Sequence, residues 1–143
     1  MTLDLQEFAD EVVDAIRRED VDAYLSLMAV PYQIVTATES RTIEKMEGLA
    51  DHFATYCKGL RQLGFEDLSH KMISTTLLGP DLAVGIYQTD LYRDDHLYVA
   101  PFRSVVTVRR GEDLKWRAVA SAHTINHADW TGRMDAVSGS TNI

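Results

Sequence analysis

The chain has 143 residues, 45% hydrophobic and 25% charged, which is ordinary for a soluble protein and enough for one domain. A net charge of −8 with no basic stripe argues against a nucleic-acid partner. No apolar run approaches the roughly 20 residues that span a bilayer. "MTLDLQEF" has no basic start or apolar core of a signal peptide, and the single Cys57 excludes an internal disulfide, so a cytoplasmic, membrane-free protein is expected.

Asp4 followed by Glu7 has the form of a capping box, and Leu5, Phe8, Val12 and Ile16 then recur at helical spacing. A first helix is expected from about Leu5 to Arg18. Asp20 suits the cap of a shorter second helix with Val21, Tyr24, Leu25 and Met28 on its apolar face, ended by Pro31. "YQIVTATESRTIEK" reads as two short strands about a polar turn. A third helix is expected from about Met46, with Leu49, Phe53, Tyr56, Leu60 and Leu63 on one side and Gly64 as its left-handed stop.

The remainder has the pattern of an antiparallel meander. "LSHKMISTTLL", "LAVGIYQTDLY", "LYVAPFRSVVTVRR" and "LKWRAVASAHTI" are four long strands separated by "GPD", "RDDH" and "GED". Pro101, inside the third, lacks a ladder donor and implies a bulge or an edge. The small polar tail over residues 131–143 is expected to be mobile beyond a single domain over residues 1–130. Helices followed by long antiparallel strands make an α+β protein, with the helices on one face of a curved sheet.

This order resembles the nuclear-transport-factor-2-like superfamily. "RREDVDAYLSLMAVPYQIVTA" resembles its opening, "TIEKMEGLADHFATY" the approach to its long helix, and "SVVTVRRGEDLKWRAVASAHT" its closing hairpin. Within it the chain looks most like the SnoaL-like (polyketide-cyclase-like) subgroup. The resemblance covers about Leu5 to Thr124 and implies a cone: a bent sheet wrapped round the long helix, with a pocket at its open end and a homodimer through the sheet. It also places the isomerase base at Thr36, the oxyanion-binding tyrosine at Val12, and the second acid within Val105 to Thr107. None of these can do ketosteroid-isomerase chemistry, because threonine is too weak a base and valine offers no donor.

By the same resemblance Tyr32, Ile34 and Thr36 face inward on the first strand, and Val119, Ser121 and His123 on the last. Trp116, Ala118, Ala120 and Ala122 then face outward, as far as no bulge reverses the alternation. His123 is the candidate acid or base, because histidine titrates near neutrality. Arg103, an odd charge in mid-strand, is a candidate for binding an anionic group, with Asp90 as its alternative partner. Tyr56 and Tyr87 are candidates for contacts to an apolar ligand, although core packing explains them as well. His52 reads as a solvated helix residue, and Cys57 as structural. His123, His127 and Asp129 are metal-binding types, but a strand and an unseen turn separate them, so no metal site and no cofactor are expected.

Three functions fit. One is a SnoaL-like pocket for a small, partly apolar molecule, an acid if Arg103 reaches it. Another is a cofactor-independent acid–base enzyme of the cyclase, isomerase or hydratase kind. The third is a dimeric interaction module whose pocket is filled by its own side chains. The dimer is also suggested by the last strand, where Val119 and Ile125 on one face and Trp116 and the alanines on the other are all apolar.

Overall fold

The computed structural model describes residues 3–94, 96–97 and 100–124. His127, Asp129 and the tail therefore lie outside the described residues. Among the described residues three helices, α1 (Leu5–Arg18), α2 (Val21–Ser26) and α3 (Met46–Gln62), pack on a curved, unclosed sheet. Its strands are β1 (Met28–Val35), β2 (Ser40–Ile43), β3 (Asp67–Gly79), β4 (Leu82–Arg93), β5 (His96–Leu97), β6 (Phe102–Arg110) and β7 (Trp116–His123). The order is β2-β1-β7-β6-β4-β3, with β5 beside β4. All pairings are antiparallel except that of β1 with β7, which is parallel and brings the first strand beside the last.

Local chemistry sets the helix ends. The Asp4 carboxylate accepts from the Glu7 N–H at 3.1 Å and starts α1. Glu19 ends it in the left-handed conformation (φ 51°), and the Asp20 N–H then donates back to the Ala15 carbonyl at 2.9 Å. Asp20 also caps α2 through the Ala23 N–H at 3.1 Å, and that bond is the main cause of the lowered pKa of its carboxyl. Gly64, at φ +78°, takes the chain out of α3.

Pro31 does not end α2, contrary to expectation. The helix stops at Leu27, and Pro31 sits exposed inside β1, where the pairing with β7 shifts between Met28 and Gln33 and no ladder donor is required of it. Pro101 does interrupt its strand: the expected single run is split into β5 and β6, and Pro101 lies in the gap.

Helix α1 lies on the inner face of β3 and β4. A Cβ at Gly85 would stand 2.8 Å from Leu5 Cδ1 and 2.9 Å from Met72 Sδ, so the missing side chain is what lets the helix approach. Gln6 ties the same helix to β3, donating to the His70 carbonyl (2.9 Å) and accepting from the Met72 N–H (2.8 Å). The bond to Met72 falls where Ile73 is bulged out of the ladder with β4. Tyr24 of α2 stacks on Phe53 of α3 with ring centroids 4.4 Å apart. Leu5, Leu49, Leu91 and Val108 are fully buried between helices and sheet.

Candidate functional site

The helices do not fill the concave face of the sheet completely. A cavity of ≈ 100 Å³ remains, walled by Phe8, Val12 and Ile16 of α1, Tyr24 of α2, and Phe53 and Tyr56 of α3. The sheet supplies Tyr32, His70, Tyr87, Thr89, Ser121 and His123. Among the described residues no Asp, Glu, Lys or Arg lines it. A shallower, charged groove between β2 and the start of α3 is larger at ≈ 770 Å³, and His52 lines both.

The sheet side is built by register. On β4, Tyr87 and Thr89 share the inner face with Ala83 and Leu91, and the ladder sets them against Met72 and His70 of β3 and Ser104 and Phe102 of β6. On β7 simple alternation fails. Val108 pairs with Ala118 and Thr107 with Ala120, so Val119 is an unmatched extra residue. That bulge turns Ala118 inward (1% exposed) while keeping Ser121 inward (7%). Val119 is therefore not an inner-face partner of Ser121 and His123, and Ala118 is not outward.

Three histidines reach this space from three elements: His52 from α3, His70 from β3 and His123 from β7. Burial, which penalises the charged imidazolium, pushes each pKa down to about 4. The groups also act on one another: a charge on His52 opposes protonation of His123, a charge on His123 opposes that of His70, and Arg41 opposes that of His52. All three rings are neutral at neutral pH. The tyrosines follow the same logic, with burial raising the pKa of Tyr24, Tyr32, Tyr56 and Tyr87 and keeping them as phenols. The His70 and Tyr87 rings lie 4.7 Å apart between centroids.

His123 is bracketed by two serines. Its Nδ1 lies 2.7 Å from Ser104 Oγ and its Nε2 3.1 Å from Ser121 Oγ. A neutral imidazole carries one N–H and one lone pair, so one serine accepts from the ring and the other donates to it. The serines also reach the phenols, since hydrogen bonding from Ser121 to Tyr32 and from Ser104 to Tyr87 opposes the upward push of burial on those hydroxyls.

Of the residues singled out from the sequence, Tyr32, Tyr56, Tyr87, Ser121 and His123 are brought together around the cavity. Thr36 is not. It follows the end of β1, and its hydroxyl is engaged with Thr38, Glu39 and the turn. Arg103 is not either. It is exposed, because its neighbours Phe102 and Ser104 take the inner face of β6. An acidic ligand held by Arg103 in the cavity is thereby ruled out by strand parity. His52 is not a solvated helix residue: it lines the cavity. It lies three residues after Leu49 and four before Tyr56, on the margin of the buried stripe, and that spacing was the available signal. His70 shares strand parity with buried Leu68, which was a second such signal. The described histidines, cysteine and carboxylates form no cluster able to hold a metal ion.

No family model and no curated protein matches the sequence. Solved structures do resemble the fold. An NTF2-like protein of unknown function from Shewanella oneidensis has a TM-score of 0.66 at 15% identity, with 85% of this chain and 96% of that one covered. An NTF2-like protein with a cystatin-like fold from Novosphingobium aromaticivorans has 0.64 at 16% identity, with 94% and 84% covered. A ketosteroid isomerase-like protein from Erwinia carotovora has 0.60 at 12% identity, with 82% and 90% covered. At such identities the likeness speaks for the fold alone: the chain has the NTF2-like, cystatin-like architecture.

Proposed function

We propose that this chain is a SnoaL-like binding protein whose cavity takes one small, neutral, largely apolar molecule. The observation that carries the reading is the lining: apolar and aromatic walls, hydroxyls and imidazoles that are neutral at neutral pH, and no ionised side chain among the described residues. An ion would lose its hydration there without a counter-charge, which costs several kcal/mol at the least. A neutral molecule loses little and exchanges water for apolar contacts. Binding is favoured over acid–base turnover because a histidine held near pKa 4 has little affinity for a proton at neutral pH. The open space favours it over an interaction module with a filled pocket.

The proposed assembly is a homodimer through the outer face of the sheet, in the cytoplasm. Across that face the register sets Ser74, Ile86, Val105, Ala122 and Val35 in one uncharged row, with Val84, Thr107 and Ala120 in the next. Ile86 and Val35 are 38% and 44% exposed in the single chain, leaving apolar surface for a second copy to cover. Among the described residues no helix is long and apolar enough to cross a membrane.

Native mass spectrometry of the purified chain tests both parts. A dimer retaining a neutral organic mass is the expected result, and Val105→Lys is expected to give monomers. A protein that neither retains nor takes up any neutral small molecule would overturn the binding reading.

A further inference from the structure

A molecule can reach the cavity only where a lining side chain still meets solvent. Val12, His52, His70, Met72, Tyr87 and His123 are the half-buried lining residues, and the others are buried. Five of these six are held in place. His123 is bracketed by Ser104 and Ser121 at 2.7 and 3.1 Å, and the His70 and Tyr87 rings pack on one another. Met72 lies over Gly85, and Val12 has a β-branched side chain with little rotamer freedom on a helix. His52 differs, since among the described residues no hydrogen bond holds its ring. Burial and, second, Arg41 keep that ring uncharged at neutral pH, so the carboxylates of the groove do not clamp it as they would an imidazolium.

His52 is also where two spaces meet. Along α3, Gly48, Asp51, His52 and Thr55 follow helical spacing and line the open groove against β2, whereas His52, Phe53 and Tyr56 line the cavity. The helix thus presents one face to each space, and among the described residues His52 alone belongs to both. Strand β2 lies close against the start of α3 because Gly48 has no side chain: a Cβ there would stand 2.9 Å from Ile43 Cγ2. Resting on the binding reading above, we infer that the ligand enters and leaves the cavity through the groove between β2 and α3, and that His52 is the side chain that opens and closes this passage. Turning about its side-chain bonds, the ring moves from the cavity wall into the groove without breaking a hydrogen bond to any described residue. A neutral molecule is not retained on the way by the mixed charges of Arg41, Lys45, Glu47 and Asp51.

The test uses fluorobenzene as the probe, with the full-length protein at neutral pH and fluorine NMR to read the dissociation constant and both exchange rates. An apolar cavity on the order of 150 Å³ admits benzene, so a single ring is on the scale of this cavity of ≈ 100 Å³ after slight movement of its walls. Thr55→Trp places an indole in the groove, outside the cavity. It is expected to slow entry and exit alike by about tenfold, the order of forcing one side chain off its rotamer. The dissociation constant, as the ratio of the two rates, should then stay within about twofold. His52→Ala removes the closing ring and is expected to speed both rates by about tenfold. Ala54→Trp, exposed on the same helix but outside the groove, should leave the rates as in the wild type. A merely structural effect of an added indole would appear in both tryptophan variants. Unchanged rates in Thr55→Trp would overturn the passage while leaving the pocket standing, as would a change in the exit rate alone, which would mean that the ligand rests in the groove. Unchanged rates in His52→Ala would overturn the role of His52. No binding of fluorobenzene by the wild type would overturn the binding reading itself. If His52→Ala does not fold, Thr55→Trp, at an exposed position, decides the passage, and His52→Phe, with slower rates expected from the bulkier ring, decides the role of His52.

Discussion

Mild acid should weaken this fold through its three cavity histidines. His52, His70 and His123 have an ordinary pKa of 6.5 when unfolded and are held near 4 when folded. Between those values the unfolded chain binds protons that the folded chain refuses, so stability is fully present above about pH 6.5 and is lost as the pH falls toward 4. Each histidine contributes at most about 3 kcal/mol to this loss, from roughly 1.4 kcal/mol per pH unit over its window. The rings are half-buried and oppose one another, so the three values do not simply add. Even a combined loss of about 4 kcal/mol would be a large part of the 5–15 kcal/mol typical of a domain. The window is distinctive because Asp113, held down to about 2 by Arg117, acts only below 3.8. Urea unfolding at several pH values from about 7.5 down to 4.5 measures the slope directly. Replacing His70 by Gln should flatten it by about one proton's worth. Stability that stays level between about pH 7 and 5 would refute the reasoning, as would histidine NMR titrations centred near 6.5 in the native protein.

Arg103→Ala should leave ligand uptake unchanged, since the side chain is exposed on the outer face of β6; weaker uptake in native mass spectrometry would mean that the assigned faces are wrong. Gly85→Ala should destabilise by about 1–3 kcal/mol in thermal or urea unfolding, because the new Cβ overlaps Leu5 and Met72. Asp4→Ala should cost about 1 kcal/mol through the lost cap on α1 and leave the cavity intact. Leu49→Ala, with the side chain fully buried, should cost about 2–5 kcal/mol.

Much of the architecture was legible in the chain because its determinants are local. Asp4 and Asp20 cap helices through N–H groups three residues away, and Gly64 leaves α3 through its own backbone conformation. The start of α1 is accordingly readable from its cap, the end of α3 from its glycine stop, and both helices from a 3.6-residue stripe. Pro31 shows the limit of such signals. Proline can end a helix or sit in an irregular stretch of strand, and only the shifted pairing of β1 with β7 selects the second.

The site depended on information that no short stretch carries. Strand alternation divides residues into two faces, but one unmatched residue, Val119, exchanges the faces on either side of it. Placing Arg103 outside and Ser104 inside required the ladder from β3 through β4 and β6 to β7. The three histidines lie on α3, β3 and β7, up to 71 positions apart (123 − 52), and converge only when helices and sheet close around one space. Their lowered proton affinity exists only in that enclosure, because desolvation is a property of the packed surroundings. The span of α1, the stop of α3 and the long sheet after them follow from local signals along the chain. Which side chains share the cavity, and that they share it uncharged, was decided by the tertiary structure, through register, a bulge and burial.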